Sequence, residues 1–220
     1  DNNSHAHSNS FAMLAGKPKS GKSWLALNWA VAIATGSETL ERKCPVRKVA
    51  YYSYESGVGD DSHGQKRLRD VCAAMDVTLT AGQLQFLDLY GLKPGSRAVL
   101  GGKGATCLED QIETLFDDGY GLVIIDTLSV VQGSQTPEYR AEAKELQRLA
   151  QICRNHPDKA VLLVHHVTKG EIPQGEGIWD IAYGTQALPG TIEAQLMLVH
   201  GKAGGAAREL HIRGRHIESV

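Results

Sequence analysis

Residues Gly16 to Ser23 read GKPKSGKS, two glycines at fixed spacing followed at once by Lys-Ser. No other stretch restricts the fold so strongly. Directly before it stands the apolar run Phe11–Ala15 (FAMLA), and directly after it Ser23–Ala34 (SWLALNWAVAIA), apolar nearly all round. The first suits a short buried strand, and the second a buried helix that Gly36 ends. The pattern G-x-x-x-x-G-K-[S/T] between strand and helix describes a loop whose backbone N–H groups converge on one point. Gly16 and Gly21 permit the backbone angles this needs, and the helix opening at Lys22–Ser23 adds its positive dipole end. Such a nest fits the phosphates of a nucleotide. Lys17, Pro18, Lys19 and Ser20 within the loop, and Trp24 just after it, belong to the same binding segment. Lys22 is placed to reach the β- and γ-phosphates, and the Ser23 hydroxyl to ligate Mg²⁺. At average residue frequencies the pattern arises by chance in roughly one such chain in a hundred.

The rest of the chain alternates strand-like and helix-like segments. Val49–Tyr54 (VAYYSY) reads as a strand, Gln65–Met75 as an amphipathic helix and Leu84–Leu89 as a further strand. Leu108–Phe116 is a helix, Leu122–Asp126 (LVIID) a strand, and Glu138–Arg154 a long amphipathic helix. Val161–Val164 is a buried strand that runs into His165 and His166. Gln195–Val199 and Glu209–Ile212 close the chain as strands around a glycine-containing turn. Gly91–Gly104 is a glycine-rich connection that fits no motif, and Gly170–Tyr183 a long irregular loop. The alternation argues for α/β architecture: a mainly parallel twisted sheet flanked by helices, with a C-terminal β-hairpin. With 220 residues, 42% of them hydrophobic, the chain suits one domain over residues 11–220. A polar tail precedes it at 1–10, where His5 and His7 read as solvated.

Two further carboxylates join the loop. A run of four apolar residues, Leu122–Ile125, ends in Asp126, the form of a strand whose terminal carboxylate holds Mg²⁺ through water. Glu55 ends the strand VAYYSY. Strand ends of parallel sheets face the ligand crevice, so this carboxylate is the candidate for orienting and deprotonating water in line with the γ-phosphate. The ordinary alternatives are a capping aspartate and a solvated glutamate.

GKPKSGKS, Glu55, LVIID, LLVHH and GTQAL (Gly184–Leu188) occur here in the order found in RecA-like P-loop ATPases. The tail RELHIRGRHIE resembles in particular the hexameric RepA-type replicative helicase ATPases of plasmids and phages. The resemblance runs from about Phe11 to Ile217 and implies Mg²⁺-dependent ATP hydrolysis by a RecA-like core. It also implies that His166 senses the γ-phosphate, with His165 as its neighbour. A nucleotide site at a subunit interface of a homo-oligomeric ring, a hexamer by analogy, follows from the same likeness. A basic residue of the neighbour would complete that site, Arg213 and Arg215 being the named pair and Arg208 and Lys202 the alternatives. Single-stranded DNA is the implied partner, and DNA replication or recombination the implied setting.

The residues themselves support DNA contact only sparsely. The formal net charge is −2, so there is no global basic field, and any nucleic-acid contact must come from local patches. The loops where the resemblance puts DNA are Gln132–Tyr139, which has no basic residue, and Val167–Tyr183. The second offers Lys169, Trp179 and Tyr183 against Glu171, Glu176 and Asp180. Trp179 reads either as a base-stacking platform or as a residue folded onto the core. Gln65–Arg69 (QKRLR) is a basic helical segment near Glu55, a nucleotide or neighbour contact or a solvated face. Cys44, Cys72, Cys107 and Cys153 are dispersed, which fits reduced thiols in a cytoplasmic protein better than a disulfide scaffold or a zinc site. No apolar run reaches the ~18 residues of a membrane span, and no signal peptide is evident. The rivals are a regulatory or assembly ATPase of the KaiC type that moves no DNA, a small-molecule kinase, and a scaffold that binds nucleotide without hydrolysis. A kinase lid rich in arginine is missing from Gly170–Tyr183, and Glu55 speaks against the scaffold.

Overall fold

Short β-branched runs that do not alternate belong in a sheet covered on both faces, and the chain builds such a sheet. A computed structural model describes residues 10–55, 63–90, 92–93, 95–131, 139–167, 178–181, 191–201 and 207–214. In chain order the elements are β1 (Ser10–Gly16), α1 (Lys22–Thr35), β2 (Glu38–Thr39), β3 (Arg42–Lys43), β4 (Lys48–Ser53), α2 (His63–Ala74) and β5 (Leu84–Asp88). There follow α3 (Leu108–Asp117), β6 (Tyr120–Asp126), α4 (Leu128–Val131), α5 (Tyr139–Asn155), β7 (Ala160–His166), α6 (Ile178–Ile181), β8 (Ala194–His200) and β9 (Arg208–Gly214).

Seven strands form one sheet in the order β5-β4-β6-β7-β1-β8-β9. All neighbours are parallel except the last pair, where β9 runs antiparallel to β8 and closes a C-terminal hairpin. This is the RecA-like α/β P-loop arrangement expected from the sequence. The strand before the glycine loop lies between β7 and β8. Its register pairs Gly16 with His166 on one side and Leu198 on the other. Ser53 pairs with Asp126 across β4 and β6. The residues singled out at the strand ends therefore lie along one edge of the sheet.

Each face carries its own core. Leu14, Tyr51, Ile124, Val164 and Leu198 pack with Leu27 and Val31 of α1 on one side. Met13, Ile125, Leu163 and Met197 pack with Ile112 of α3 and Leu149 of α5 on the other. Gly36 ends α1 at φ 73°, its N–H bonded to Ala32 O, as a helix-terminating glycine should. Ala26, Leu27, Ala30, Val31, Ala32 and Ala34 of α1 are buried, Leu25, Trp29 and Ile33 are partly buried, and Trp24 at its start stays 44% exposed.

The structure corrects several sequence expectations. Ser10 belongs to β1 rather than to the polar tail; residues 1–9 lie outside the described set. The β2–β3 hairpin carries no periodic signal, since two-residue strands are too short to show one. Gly91–Gly104 is packed in its second half, where Ala98 and Leu100 are buried and Leu100 N–H donates to Val131 O at 2.8 Å. Both Glu109 oxygens accept the Gly101 N–H at 3.0 and 3.1 Å, tying that segment to α3. Within the predicted irregular loop, Ile178–Ile181 form a helical turn, and Trp179 is folded onto the core at 8% exposure. Arg213 lies over its ring at 4.6 Å, so the base-stacking alternative for Trp179 is withdrawn. GTQAL, Lys169, Lys202, Tyr183 and Arg215 lie outside the described residues, as does most of both expected DNA loops. Among the described residues, no helix is long and apolar enough to cross a membrane.

Candidate nucleotide site

The glycine loop turns through backbone angles that ordinary residues avoid. Lys19 has φ 63° and Gly21 φ 101°, the second directly before α1 as its N-terminal cap, with no side chain filling that role. The first-turn N–H groups of α1 are left for a ligand. Gly16 is needed for close approach: a Cβ there would lie 2.6 Å from Leu198 O and 2.9 Å from Ser20 Oγ. A cleft of about 460 Å³ opens above the loop, lined by Pro18, Lys19, Gly21, Lys22, Ser23, Trp24, Glu55, Arg67 and His166. The loop, the glutamate and the histidine named from sequence are thus together.

Lys22 is 3% exposed. Its ammonium donates to Gly16 O at 2.9 Å and Lys17 O at 2.8 Å. Desolvation lowers its pKa from 10.5 to about 8, against the opposing pull of Asp126 and Glu55. A phosphate at this ammonium would restore the charged form, so binding should take up a proton wherever the free lysine has lost one. Nucleotide affinity is therefore expected to be flat with respect to this group below pH 8 and to weaken above it, by up to tenfold per pH unit. Calorimetry in two buffers of different ionisation enthalpy reads this directly as proton uptake at pH 8.5–9.5.

Asp126 is 4% exposed. The Tyr51 hydroxyl donates to its Oδ2 at 2.7 Å, while Oδ1 is buried with no hydrogen-bond partner. Burial raises the carboxyl above its ordinary value; the Tyr51 hydroxyl, and less directly that of Ser23, favour the charged form. An orphaned carboxylate oxygen beside a serine hydroxyl is a hard-oxygen donor set of the kind Mg²⁺ takes. Ser23 and Asp126 fit that ion.

Glu55 and His166 meet directly: Nε2 lies 3.2 Å from both carboxylate oxygens. Thr127 Oγ1 donates to Glu55 Oε1 at 3.4 Å. The His166 contact, ahead of partial burial that opposes it, holds the Glu55 carboxyl below its ordinary range. His165 turns to the opposite face of β7. Burial, then His166 and Lys22, press its pKa down to about 4, so it is neutral at physiological pH.

The basic residues divide. Arg67, from the QKRLR segment, lines the cleft. Arg208 donates from Nε to Ser20 O at 3.0 Å, binding the hairpin to the glycine loop of its own chain. Arg213 faces the other side of the sheet, its Nε bonded to Gln195 Oε1 and its guanidinium over Trp179. The sequence offered no local signal for the Tyr51–Asp126 or Arg208–Ser20 bonds. Both depend on strand pairing between distant segments.

Beyond Trp24 a second hollow of about 490 Å³ adjoins the cleft, walled by Leu25, Val71, Ala74 and Leu198 with Asn28, Asp70 and Arg208 at its rim. A family model described as an AAA domain matches residues 5–171. No curated protein matches the chain.

Proposed function

The chain belongs to the AAA-domain family of P-loop ATPases, and on that premise we propose that its strand-end cleft hydrolyses ATP with Mg²⁺, Glu55 serving as the base. The observation that carries this is the meeting of Lys22, Ser23, Glu55 and His166 around one cleft. In this reading the glycine-loop N–H groups and Lys22 bind the β- and γ-phosphates. Ser23 and Asp126 hold the Mg²⁺, which when bound offsets negative charge on the phosphate oxygens. Glu55 accepts a proton from the attacking water, and its depressed pKa keeps it ionised for that purpose. His166 orients Glu55 and senses the γ-phosphate. The apolar hollow beyond Trp24 takes the nucleobase, with Asn28 and Asp70 as the polar groups available to its edge.

The finer reading rests on the resemblance of the ordered motifs to RepA-type helicase ATPases. We place the protein in a homo-oligomeric ring, with Arg213 or Arg215 of one subunit stabilising charge at its neighbour's γ-phosphate and single-stranded DNA as the partner. ATP hydrolysis measured with and without single-stranded DNA, at low and moderate salt, tests it. Stimulation of several-fold that weakens with salt is expected, because phosphate contacts release counterions. Hydrolysis indifferent to DNA replaces this reading with the regulatory ATPase. Absence of hydrolysis in every condition removes the catalytic assignment.

A further inference from the structure

Strand β4 carries Tyr51 and Tyr52, Tyr54 follows it directly, and the alternation of an extended chain sorts the three. Tyr52 and Tyr54 turn away from the cleft: Tyr52 donates to Gln111 Oε1 at 3.0 Å and Tyr54 to Ala98 O at 2.9 Å. Tyr51 alone turns to the face bearing the glycine loop. It is 1% exposed, its ring stacks on Phe86 with centroids 5.3 Å apart, and its hydroxyl bonds Asp126 Oδ2 at 2.7 Å. Strand register, ring stacking and burial leave that hydroxyl little freedom. The carboxylate it holds is itself buried, with Oδ1 unpartnered.

We propose that Tyr51 is the positioning residue of the divalent-cation site: it fixes the Asp126 carboxylate through Oδ2 so that Oδ1 is presented to the metal's water. The inference deepens the reading of Ser23 and Asp126 as the metal side of the nucleotide site and rests on it. A phenol suits the task because it donates a hydrogen bond without adding charge. Without the bond, Oδ2 would lose the Tyr51 hydroxyl that fixes the orientation of the carboxylate. Partners that orient metal ligands in this way typically change metal affinity 10- to 100-fold.

Tyr51→Phe retains the stacked ring and removes one oxygen. Binding of a fluorescent ATP analogue, titrated with Mg²⁺ and repeated in EDTA, tests the proposal in the wild type, Tyr51→Phe and Tyr52→Phe. Tyr51→Phe is expected to need about 10- to 100-fold more Mg²⁺ for its half-maximal effect. Its affinity in EDTA should be unchanged, and excess Mg²⁺ should restore hydrolysis. Tyr52→Phe should keep the wild-type Mg²⁺ midpoint. Should Tyr51→Phe not fold, Phe86→Leu loosens the ring while keeping the hydroxyl and is expected to raise the Mg²⁺ requirement several-fold. An unchanged midpoint overturns the proposal, as does an equal loss of affinity in EDTA and Mg²⁺, the mark of a purely structural tyrosine. If the wild type itself shows no Mg²⁺ dependence, the nucleotide-site reading falls, and this inference with it.

Discussion

Glu55→Gln is expected to lower ATP hydrolysis by about 10²- to 10⁴-fold while nucleotide affinity stays within a few-fold of wild type. Glutamine has nearly the same shape, and its amide oxygen can still accept from Thr127 and from His166. The fold and the phosphate loop are therefore untouched. What disappears is a carboxylate able to take a proton. His166 sharpens the test, since Nε2 touches both Glu55 oxygens at 3.2 Å and in the proposed reading acts on the attacking water through Glu55. A residue acting through another shows strongly non-additive losses. His166→Ala should slow hydrolysis by itself yet add little in the Glu55→Gln background. It should also move the acid limb of the pH–rate profile upward. Glu55 is held below its ordinary range chiefly by His166, so without the imidazole the carboxylate protonates at higher pH and activity is lost sooner on acidification. Single-turnover rates in the four proteins give the coupling. Retention of a tenth or more of wild-type activity in Glu55→Gln would return Glu55 to the status of a solvated strand-end residue.

How much of this site was legible in the sequence follows from how each residue is positioned. Gly16–Ser23, Asp126, Glu55 and His166 each end an apolar run. A parallel sheet delivers the ends of its strands to one edge, so knowing the strands is enough to gather these groups. Tyr51 and Arg208 are different. The Tyr51 hydroxyl meets Asp126 only because β4 lies beside β6, two residues from their shared edge, with Ser53 opposite Asp126. Arg208 meets Ser20 only because the antiparallel turn-back of β9 sets it opposite His200 at the sheet's edge. Neither pairing has a local signature. Arg67 was visible as a basic helical residue, but its turn toward the cleft depends on how α2 packs against α1. Trp179 shows the converse failure: an aromatic in a polar, proline-containing loop suggests exposure, while the core beneath it takes it in and Arg213 covers it. The hairpin arginines were paired because residues two apart share a strand face. That parity turns Arg213 away from its own chain's cleft, on the side opposite Arg208.

Lys22→Met should produce the other large effect, and it has two opposite signs. Nucleotide binding should fall at least 100-fold and hydrolysis become undetectable, because hydrogen bonds from a charged donor to phosphate are among the strongest available. The free protein should meanwhile become more stable. Burial displaces the Lys22 pKa from 10.5 to about 8, a preference of roughly 3 kcal/mol against the charged form carried by the native state at neutral pH. Methionine has similar length and no charge to desolvate. It forfeits the two ammonium bonds, but Gly16 O retains the Val167 N–H and Lys17 O the Ser20 N–H, each at 3.2 Å. A net gain of about 1–2 kcal/mol remains after a cost of about 1 kcal/mol for the lost ammonium bonds, which for a chain of this size raises Tm by roughly 2–8 °C. The same balance fixes the pH dependence. Between about pH 8 and 10.5 the unfolded chain holds the proton that native Lys22 has released, so wild-type stability rises with pH across that window and the advantage of methionine shrinks. Thermal melts of both proteins at pH 7 and pH 9.5, with and without Mg²⁺-ATP, read all three effects. A wild type stabilised by nucleotide beside a Lys22→Met protein that melts higher and ignores nucleotide is the expected pair. A variant that melts lower than wild type, or is still stabilised by nucleotide, would mean that Lys22 supports the loop rather than waiting there for phosphate.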